Sequence, residues 1–319
     1  MPHYKSALAF LARYGTIIGL GLMIATFAII SPVAFPTFSN AVNVLNQASL
    51  AMIIAGGLTT AVIVGELDLS IGFAASMEGV LVTGLIVHNR LPIAVAVLMV
   101  IAVGALIGLV NGLIVTKARV NSVIATLGMG TIIVGLNFAY SSGVPIVAGV
   151  PEAFVEISLG RFHGIPNNVI IMVAVLGFLW FLVERTSIGQ AIQAVGGNPA
   201  AARLSGINVD AIKILGFIAS GVCAAITGIL LAARLGSGTT SAADSYLLTA
   251  FAAVFLGSAT LRDGEFHIFG TFIGVLIIAI GFNGLAIFGA PTWTQFVFQG
   301  AILIIAVGLS SLGRVLAEE

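Results

Sequence analysis

The stretch PIAVAVLMVIAVGALIGLVNGLIV, residues 92–115, contains no charged side chain and is long enough to cross a bilayer as one helix. Arg90 and Lys117 lie just beyond its two ends. Similar apolar runs recur along the 319 residues, so hydrophobic residues make up 59% of the chain and charged residues 8%. A soluble domain carries roughly a quarter charged residues. The composition therefore predicts an all-α integral membrane protein.

Gaps rich in charge, proline, asparagine or glycine divide the chain into about ten predicted spans. They cover residues 14–31, 42–64, 71–87, 92–115, 122–141, 168–184, 212–232, 246–260, 267–289 and 293–312. The third and the eighth are short. We interpret residues 1–319 as a single transmembrane domain, with a first half at 14–141 and a second half at 168–312.

The distribution of Lys and Arg predicts the orientation, because cytoplasmic loops carry an excess of basic residues. Ten spans place both termini on one side. If that side is the cytoplasm, the basic residues predicted inside are Lys5, Arg13, Lys117, Arg119, Arg185, Arg203, Lys213, Arg262 and Arg314. Those predicted outside are only Arg90, Arg161 and Arg234. The asymmetry favours cytoplasmic N- and C-termini.

A short repeat suggests an internal duplication. Asn111-Gly112-Leu113-Ile114 ends the fourth predicted span, and Asn283-Gly284-Leu285-Ala286 lies near the end of the ninth. These spans hold equivalent places in two halves of five, and an odd number of spans makes the second half enter from the opposite side. The pattern indicates two inverted five-helix repeats, as in many transporters.

The segment Gly65-Glu66-Leu67-Asp68-Leu69-Ser70-Ile71-Gly72 interrupts two apolar runs and predicts a broken helix. Its glycines tolerate unusual backbone angles, and Ser70 could cap the new helix. The acids either cap helix ends or contact a polar solute. Glu78 lies within the next apolar run, where an acid faces either a polar neighbour or a solute pathway. The candidate pathway residues are therefore Glu66, Asp68, Ser70 and Glu78.

The predicted cytoplasmic loop 185–211 has the pattern of an ordered element. Thr186 to Val195 predicts a short helix, Gly196-Gly197-Asn198-Pro199 a turn, and Pro199 to Leu204 a second helix that stops at Gly206. Two interpretations stay open at this point. The loop is either a docking surface for another protein or a plain connector.

The sequence lacks a catalytic constellation. It has one cysteine, dispersed histidines, and no HExxH, GxSxG or Walker A motif, so no catalytic, cofactor-binding or metal-binding residue is predicted. The net charge is zero, and no basic patch suggests a nucleic-acid partner. If transport by this chain is driven by ATP, another chain must bind the ATP.

Several segments together resemble the membrane permeases of ribose-type bacterial ABC sugar importers. Residues 65–72 resemble the signature Gly-Gly-Ile-Asp-Leu-Ser-Val-Gly of that family. Asn111-Gly112-Leu113-Ile114-Val115, followed by Ile124-Ala125-Thr126-Leu127-Gly128, is similar to its central pattern. The most specific match is AVGGNPAAARLSGI at residues 194–207. The resemblance extends over residues 40–312.

The resemblance implies a permease in the bacterial inner membrane, surrounded by lipid and paired with a second permease subunit in a homodimer or heterodimer. It implies an ABC ATPase with two nucleotide-binding domains and a periplasmic sugar-binding protein as partners. The solute would be a monosaccharide or a related polyol-like molecule. The loop 185–211 would couple the permease to the ATPase. Its implied coupling residues are Gly197, Asn198, Ala201, Arg203, Leu204 and Gly206.

The chain departs from the family pattern in three places. Glu66 replaces the usual second glycine, Glu78 replaces a small or apolar residue, and residues 260–267 replace an uncharged turn. The first two changes increase the polar character of the pathway, and the third lies on the predicted cytoplasmic side. The alternative function is an ion-coupled secondary transporter or a channel, in which Asp68 and Glu78 would couple protons.

Overall fold

In a computed structural model, the backbone is described for residues 2–258, 260 and 264–318, and side chains for residues 14–258, 260 and 264–305. The regular secondary structure of the described residues consists of helices and one small hairpin. Its helices are α1 (Pro2–Ile30), α2 (Phe38–Ile63), α3 (Ile71–Val87), α4 (Ile93–Thr116), α5 (Ser122–Ser141), α6 (Glu152–Leu159), α7 (Asn167–Arg185), α8 (Ser187–Gly197), α9 (Pro199–Leu204), α10 (Val209–Leu235), α11 (Tyr246–Ser258), α12 (Ile268–Ile287) and α13 (Trp293–Glu318). The hairpin pairs β1 (Arg161–Phe162) with β2 (Ile165–Pro166).

Each of the ten predicted spans overlaps one helix, on α1–α5, α7 and α10–α13. Six of these helices, namely α2, α4, α5, α7, α10 and α12, are long and apolar enough to cross a membrane. The apolar parts of α1, α3, α11 and α13 are shorter within the residues searched. The helical fold class is confirmed. The ten-span repeat layout and the cytoplasmic termini stay predictions.

The chain divides into two compact units, residues 56–247 and residues 1–55 with 248–319. In the second of these, α12 packs on α1 and α13, with the ring of Phe27 against Gly284 and that of Phe298 against Gly281. The side-chain amides of Asn40 and Asn283 exchange two hydrogen bonds, at 3.0 and 2.9 Å. The asparagine of the repeated motif therefore holds the start of α2 in this unit.

The 56–247 unit is built around α10, which packs closely on α3 and α4. A Cβ at Gly221 would overlap the carbonyl oxygen of Gly104, and a Cβ at Gly228 would overlap that of Ala75. Small residues at these crossings let the helix backbones touch, which is the usual way that helices associate in a bilayer.

The connections of the 56–247 unit gather at two opposite ends. At one end, Gly196 of the 185–211 loop lies against the carbonyl of Ile63, and Lys117 forms an ion pair with Asp210 at 2.8 Å. At the other end, Ile146 of the 142–167 loop pairs with Gly238 in an isolated β-bridge. Loops predicted on the same side of the membrane therefore meet at the same end of this unit.

The 142–167 segment contains more structure than the sequence indicated. It holds α6 and the β1–β2 hairpin, whose turn at His163 and Gly164 has positive φ angles of 48° and 84°. Phe154 of α6 is fully buried in an apolar cluster with residues of α3, α4 and α10, which include Val82 and Ile229. The segment thus forms a folded cover over one end of the unit.

Candidate functional site

The predicted helix break is confirmed between the end of α2 at Ile63 and the start of α3 at Ile71. Gly65 adopts a left-handed φ of 83°, a conformation that glycine reaches without strain. Gly72 is required for a different reason. It lies within α3, where an added Cβ would come within 3.0 Å of the carbonyl oxygen of Asp244. A close approach of the chain, rather than an unusual backbone angle, requires glycine at this second position.

Hydroxyl groups of α5 satisfy the backbone of the break. The amide of Leu67 donates to the Oγ of Ser122 at 3.3 Å, and the amide of Leu69 donates to the Oγ1 of Thr126 at 3.0 Å. Buried backbone groups without hydrogen bonds are costly, so a buried helix break requires other groups to replace the lost helical hydrogen bonds. These contacts give the IATLG motif at residues 124–128 a structural role that the sequence did not reveal.

Asp68 is 1% exposed and accepts three hydrogen bonds. Its Oδ1 accepts from the backbone amide of Ser70 at 3.0 Å and from the hydroxyl of Ser70 at 2.6 Å. Its Oδ2 accepts from the hydroxyl of Ser220 on α10 at 2.8 Å. The carboxylate therefore stabilises the start of α3 and ties the break to α10, as expected of a capping acid.

Ser70 stands at the N-cap of α3, but its side chain makes no capping hydrogen bond, so the prediction that it caps this helix through its hydroxyl is wrong. The hydroxyl donates to Asp68 instead, and it accepts from the Nδ2 of Asn111 at 2.9 Å. Competition from the buried carboxylate explains the difference, because a hydrogen bond to a charged acceptor is the stronger one.

Glu66 forms an ion pair with Lys213 of α10, with 2.5 Å between Oε1 and Nζ. The side chains are only 11% and 22% exposed. This pair connects the break to α10 a second time, close to the start of that helix. Both acids of the break are therefore engaged by protein groups.

Glu78 lies in the middle of α3 and is fully buried. Neither of its carboxylate oxygens has a hydrogen-bond partner among the described residues. Its Oε1 lies at the crossing of α4 and α10, where a Cβ on Gly104 would come within 2.7 Å of it. Small residues let α4 and α10 cross beside the carboxyl group, and the structural interpretation of Glu78 stays a prediction. Its role in the pathway stays a prediction.

The 185–211 loop is folded as predicted, with α8 reaching two residues into the expected turn. Thr186 caps α8 by accepting from the amide of Gly189 at 3.1 Å, and Asn198 caps α9 by accepting from the amides of Ala200 and Ala201, both at 3.0 Å. Gly206 ends the element with a φ of 84°. The caps and the glycine stop show why this local sequence forms two short helices.

The loop is fixed to the unit by an apolar cluster, which contains Val64, Ile192, Val195, Ala202 and Val209. All six predicted coupling residues lie on the opposite, exposed face: Gly197, Asn198, Ala201, Arg203, Leu204 and Gly206. Leu204 is 91% exposed. Single exposed apolar side chains are common on protein surfaces, so the interpretation of this face as a docking surface stays a prediction.

The sequence of the chain is similar to those of known transport proteins. The family described as "branched-chain amino acid transport system / permease component" matches residues 40–307. The chain belongs to this family. It is also 38% identical to the ribose import permease protein of Escherichia coli (strain K12), over 94% of both chains. The ribose import permease protein of Bacillus subtilis (strain 168) is 37% identical, over 92% of this chain and 91% of that protein.

A third relative is the galactose/methyl galactoside import permease protein of Escherichia coli (strain K12), 34% identical over 97% of this chain and 96% of that protein. No solved structure matches the permease. Membership of the family and the apolar helices make the chain a multi-pass membrane permease component rather than an enzyme. No group of three metal-ligating His, Cys, Asp or Glu side chains occurs among the residues searched.

Some parts of the permease site were not accessible from the sequence. Asp68 pairs with Ser220, and Glu66 pairs with Lys213. The partners are far apart in the chain, so no local sequence pattern predicts these contacts. The departure at residues 260–267 lies partly outside the described residues, at positions 261–263. The assignments of pathway and coupling residues stay predictions.

Proposed function

We propose that the permease forms the translocation pathway of an ATP-driven importer in the bacterial inner membrane. The solute is a monosaccharide or a related polyol-like molecule, a class supported by the names of the ribose and galactose permeases that the chain resembles. The sequence has no phosphate-binding loop, so a separate ATPase with two nucleotide-binding domains hydrolyses ATP. A periplasmic sugar-binding protein delivers the solute, and a second permease subunit completes the pathway.

The anchored 185–211 loop is the observation that carries this proposal. Its inner face is held by the cluster around Val195, and its outer face presents Leu204 and Arg203. A self-sufficient carrier has no need of such a surface. An ATPase that closes on ATP can push on it as a rigid body and move the attached helices. We therefore assign the loop as the coupling element.

The proposed layout has ten spans in two inverted repeats of five, with both termini in the cytoplasm. The excess of Lys and Arg in the predicted inner loops supports the orientation. Within residues 56–247, the meeting of the predicted inner loops at one end supports the alternation of the spans.

The function is tested by transport in proteoliposomes that contain the permease, its ATPase and its binding protein. We expect uptake of D-ribose or D-galactose that requires ATP and all three proteins. The purified permease alone should show no ATP hydrolysis. Uptake by the permease alone, driven by a proton or sodium gradient, would refute the proposal and establish the ion-coupled alternative.

The coupling assignment is tested by Leu204→Glu. This side chain is almost fully exposed, so the variant should fold normally, while the new charge should disrupt an apolar contact with the ATPase. We expect the ATPase to be lost when the variant is purified through a tag on the permease. Ala153→Glu, an exposed position on α6 at the other end of the unit, is the control and should retain the ATPase. Equal retention by both variants contradicts the assignment.

A further inference from the structure

The segment that joins α10 to α11, residues 236–245, does not leave the unit as a surface loop. It turns back along α3 in irregular conformation. Gly238 lies against Val80 and Thr83, and a Cβ on Gly72 would be 3.0 Å from the carbonyl oxygen of Asp244. Val80 and Gly72 are eight positions apart on a helix that rises 1.5 Å per residue, so the segment descends about 12 Å along α3.

The lower part of the segment lies near the middle of α10. Gly79 of α3 contacts the carbonyl of Gly228, seven residues before the end of α10. Ser76, which touches the segment, is one turn further along α3. The seven residues correspond to about 10 Å and the further turn to about 5 Å, so Asp244 lies about 15 Å below the end of α10, inside a helix that is long and apolar enough to cross the membrane.

Protein groups satisfy part of the segment. The hydroxyl of Ser76 donates to the Oδ1 of Asp244 at 2.6 Å and accepts from the amide of Ala243 at 2.9 Å. The Nδ2 of Asn137 on α5 donates to the carbonyl of Thr240 at 2.9 Å. These contacts fix the backbone and orient the carboxylate of Asp244, so the irregular conformation is a built feature of the unit.

The other face of the segment is polar and accessible. Ser241 is exposed, and Thr239, Thr240 and Asp244 are half-buried. The described residues give the carboxylate of Asp244 no hydrogen-bond partner beyond the hydroxyl of Ser76. Irregular backbone with polar side chains at membrane depth is tolerated only when it is buried in protein or lines a water-filled cavity. Because this face is accessible within the chain, we propose that Thr239, Thr240, Ser241 and Asp244 form a polar strip that lines the translocation pathway and binds the hydroxyl groups of a polyol solute.

The chemistry of the strip fits such a solute. A carboxylate accepts hydrogen bonds from sugar hydroxyls, and serine and threonine hydroxyls both donate and accept. The strip thereby differs from the acids of the helix break, because Asp68 is fully engaged by Ser70 and Ser220 and Glu66 is engaged by Lys213. Unwound backbone near the bilayer midplane is a common place for transporters to bind their substrates. The inference deepens the proposed function by locating a solute contact.

The first test measures water access and needs neither ATP nor partner proteins. Ser241→Cys and Leu98→Cys are treated in proteoliposomes with a water-soluble, charged methanethiosulfonate. Leu98 is exposed on α4. Gly104 lies against Gly221 and Gly108 against Phe217, so α4 runs opposite to α10 and Leu98 lies near the level of Gly228, beside the 236–245 segment. The unmodified permease, whose only cysteine is the buried Cys223, gives the background rate. Because the reagent reacts with thiolate in water, we expect Ser241→Cys to react at least about tenfold faster than Leu98→Cys. Equal rates overturn the proposal.

The second test separates a pathway from an accessible loop outside it. In the complete transport assay, reaction of Ser241→Cys should block uptake, and a mixture of D-ribose and D-galactose should slow the reaction. Asp244→Asn should lower the uptake efficiency, Vmax/KM, about tenfold or more, because one strong hydrogen bond to the solute is lost. Fast reaction without any effect on uptake overturns the proposal, as does normal uptake by Asp244→Asn. Absence of uptake by the unmodified permease would count against the proposed function, while the access measurement would still decide whether the strip meets water.

Discussion

Removing one member of the Glu66–Lys213 ion pair should destabilise the permease strongly, whereas removing both should not. The two side chains are 11% and 22% exposed, so each charge has lost most of its water. A buried charge left without its partner costs about 3–5 kcal/mol. Because Lys213 retains some contact with solvent, we expect the lower value, about 3 kcal/mol, for Lys213→Met and for Glu66→Gln.

The double variant Glu66→Gln/Lys213→Met leaves no unpaired charge. We expect it to lie within about 1 kcal/mol of the original permease, and so to be about 2 kcal/mol more stable than either single variant. The measurement is reversible unfolding by SDS in mixed micelles, followed by circular dichroism. Lys117→Met is the matched control. Its ion pair with Asp210 involves a lysine side chain that is 63% exposed, and its loss should cost less than about 1 kcal/mol. A double variant less stable than both single variants would refute this reasoning.

Two further predictions concern the interior of the 56–247 unit. Glu78→Leu should raise the free energy of unfolding by about 1–2 kcal/mol, because it removes a buried carboxyl group that has no hydrogen-bond partner among the described residues. A loss of stability in the same SDS titration would contradict this, and a loss of uptake with stability preserved would support a pathway role for Glu78. Gly221→Ala should lower the free energy of unfolding by about 1–3 kcal/mol or more, because the added Cβ overlaps the carbonyl of Gly104. The control is Gly177→Ala on α7, where open space surrounds the added Cβ, and it should be neutral or slightly stabilising. Similar free energies of unfolding for the two alanine variants would show that the α4–α10 crossing is not tightly packed.

The sequence predicted features whose causes are local. Apolar runs long enough to span a bilayer gave the positions of the long helices, because hydrophobic length alone selects them. Gly65, the acids after it and Ser70 indicated the helix break, and Pro199 with Gly206 indicated the two short helices of the 185–211 loop. Each of these signals lies within a few residues of the structure that it specifies.

The candidate site was only partly predictable. Capping and solute contact were both open for Asp68 in the sequence. The structure shows its carboxylate accepting from Ser70 at the start of α3, and its second anchor, Ser220, lies 152 residues away. The same holds for Lys213, which neutralises Glu66 from a distance of 147 residues. The sequence marked which acids lie in apolar surroundings. It did not show which of them find a partner there, because that depends on how α10 crosses α3 and α4.

The 236–245 segment shows most clearly what could not be predicted from the sequence. In the sequence, GSGTTSAADS between two apolar runs is typical of an exposed loop, and its glycines and hydroxyl residues fit that interpretation. Only the tertiary structure returns it along α3 to the depth of Ser76, because glycines at positions 72 and 238 let the chain approach the helix closely. The sequence by itself thus determined that this is a helical membrane permease with a folded 185–211 loop. The packing of helices decided which polar groups are satisfied, which buried carboxyl group has no hydrogen-bond partner among the described residues, and how far the 236–245 segment descends along α3.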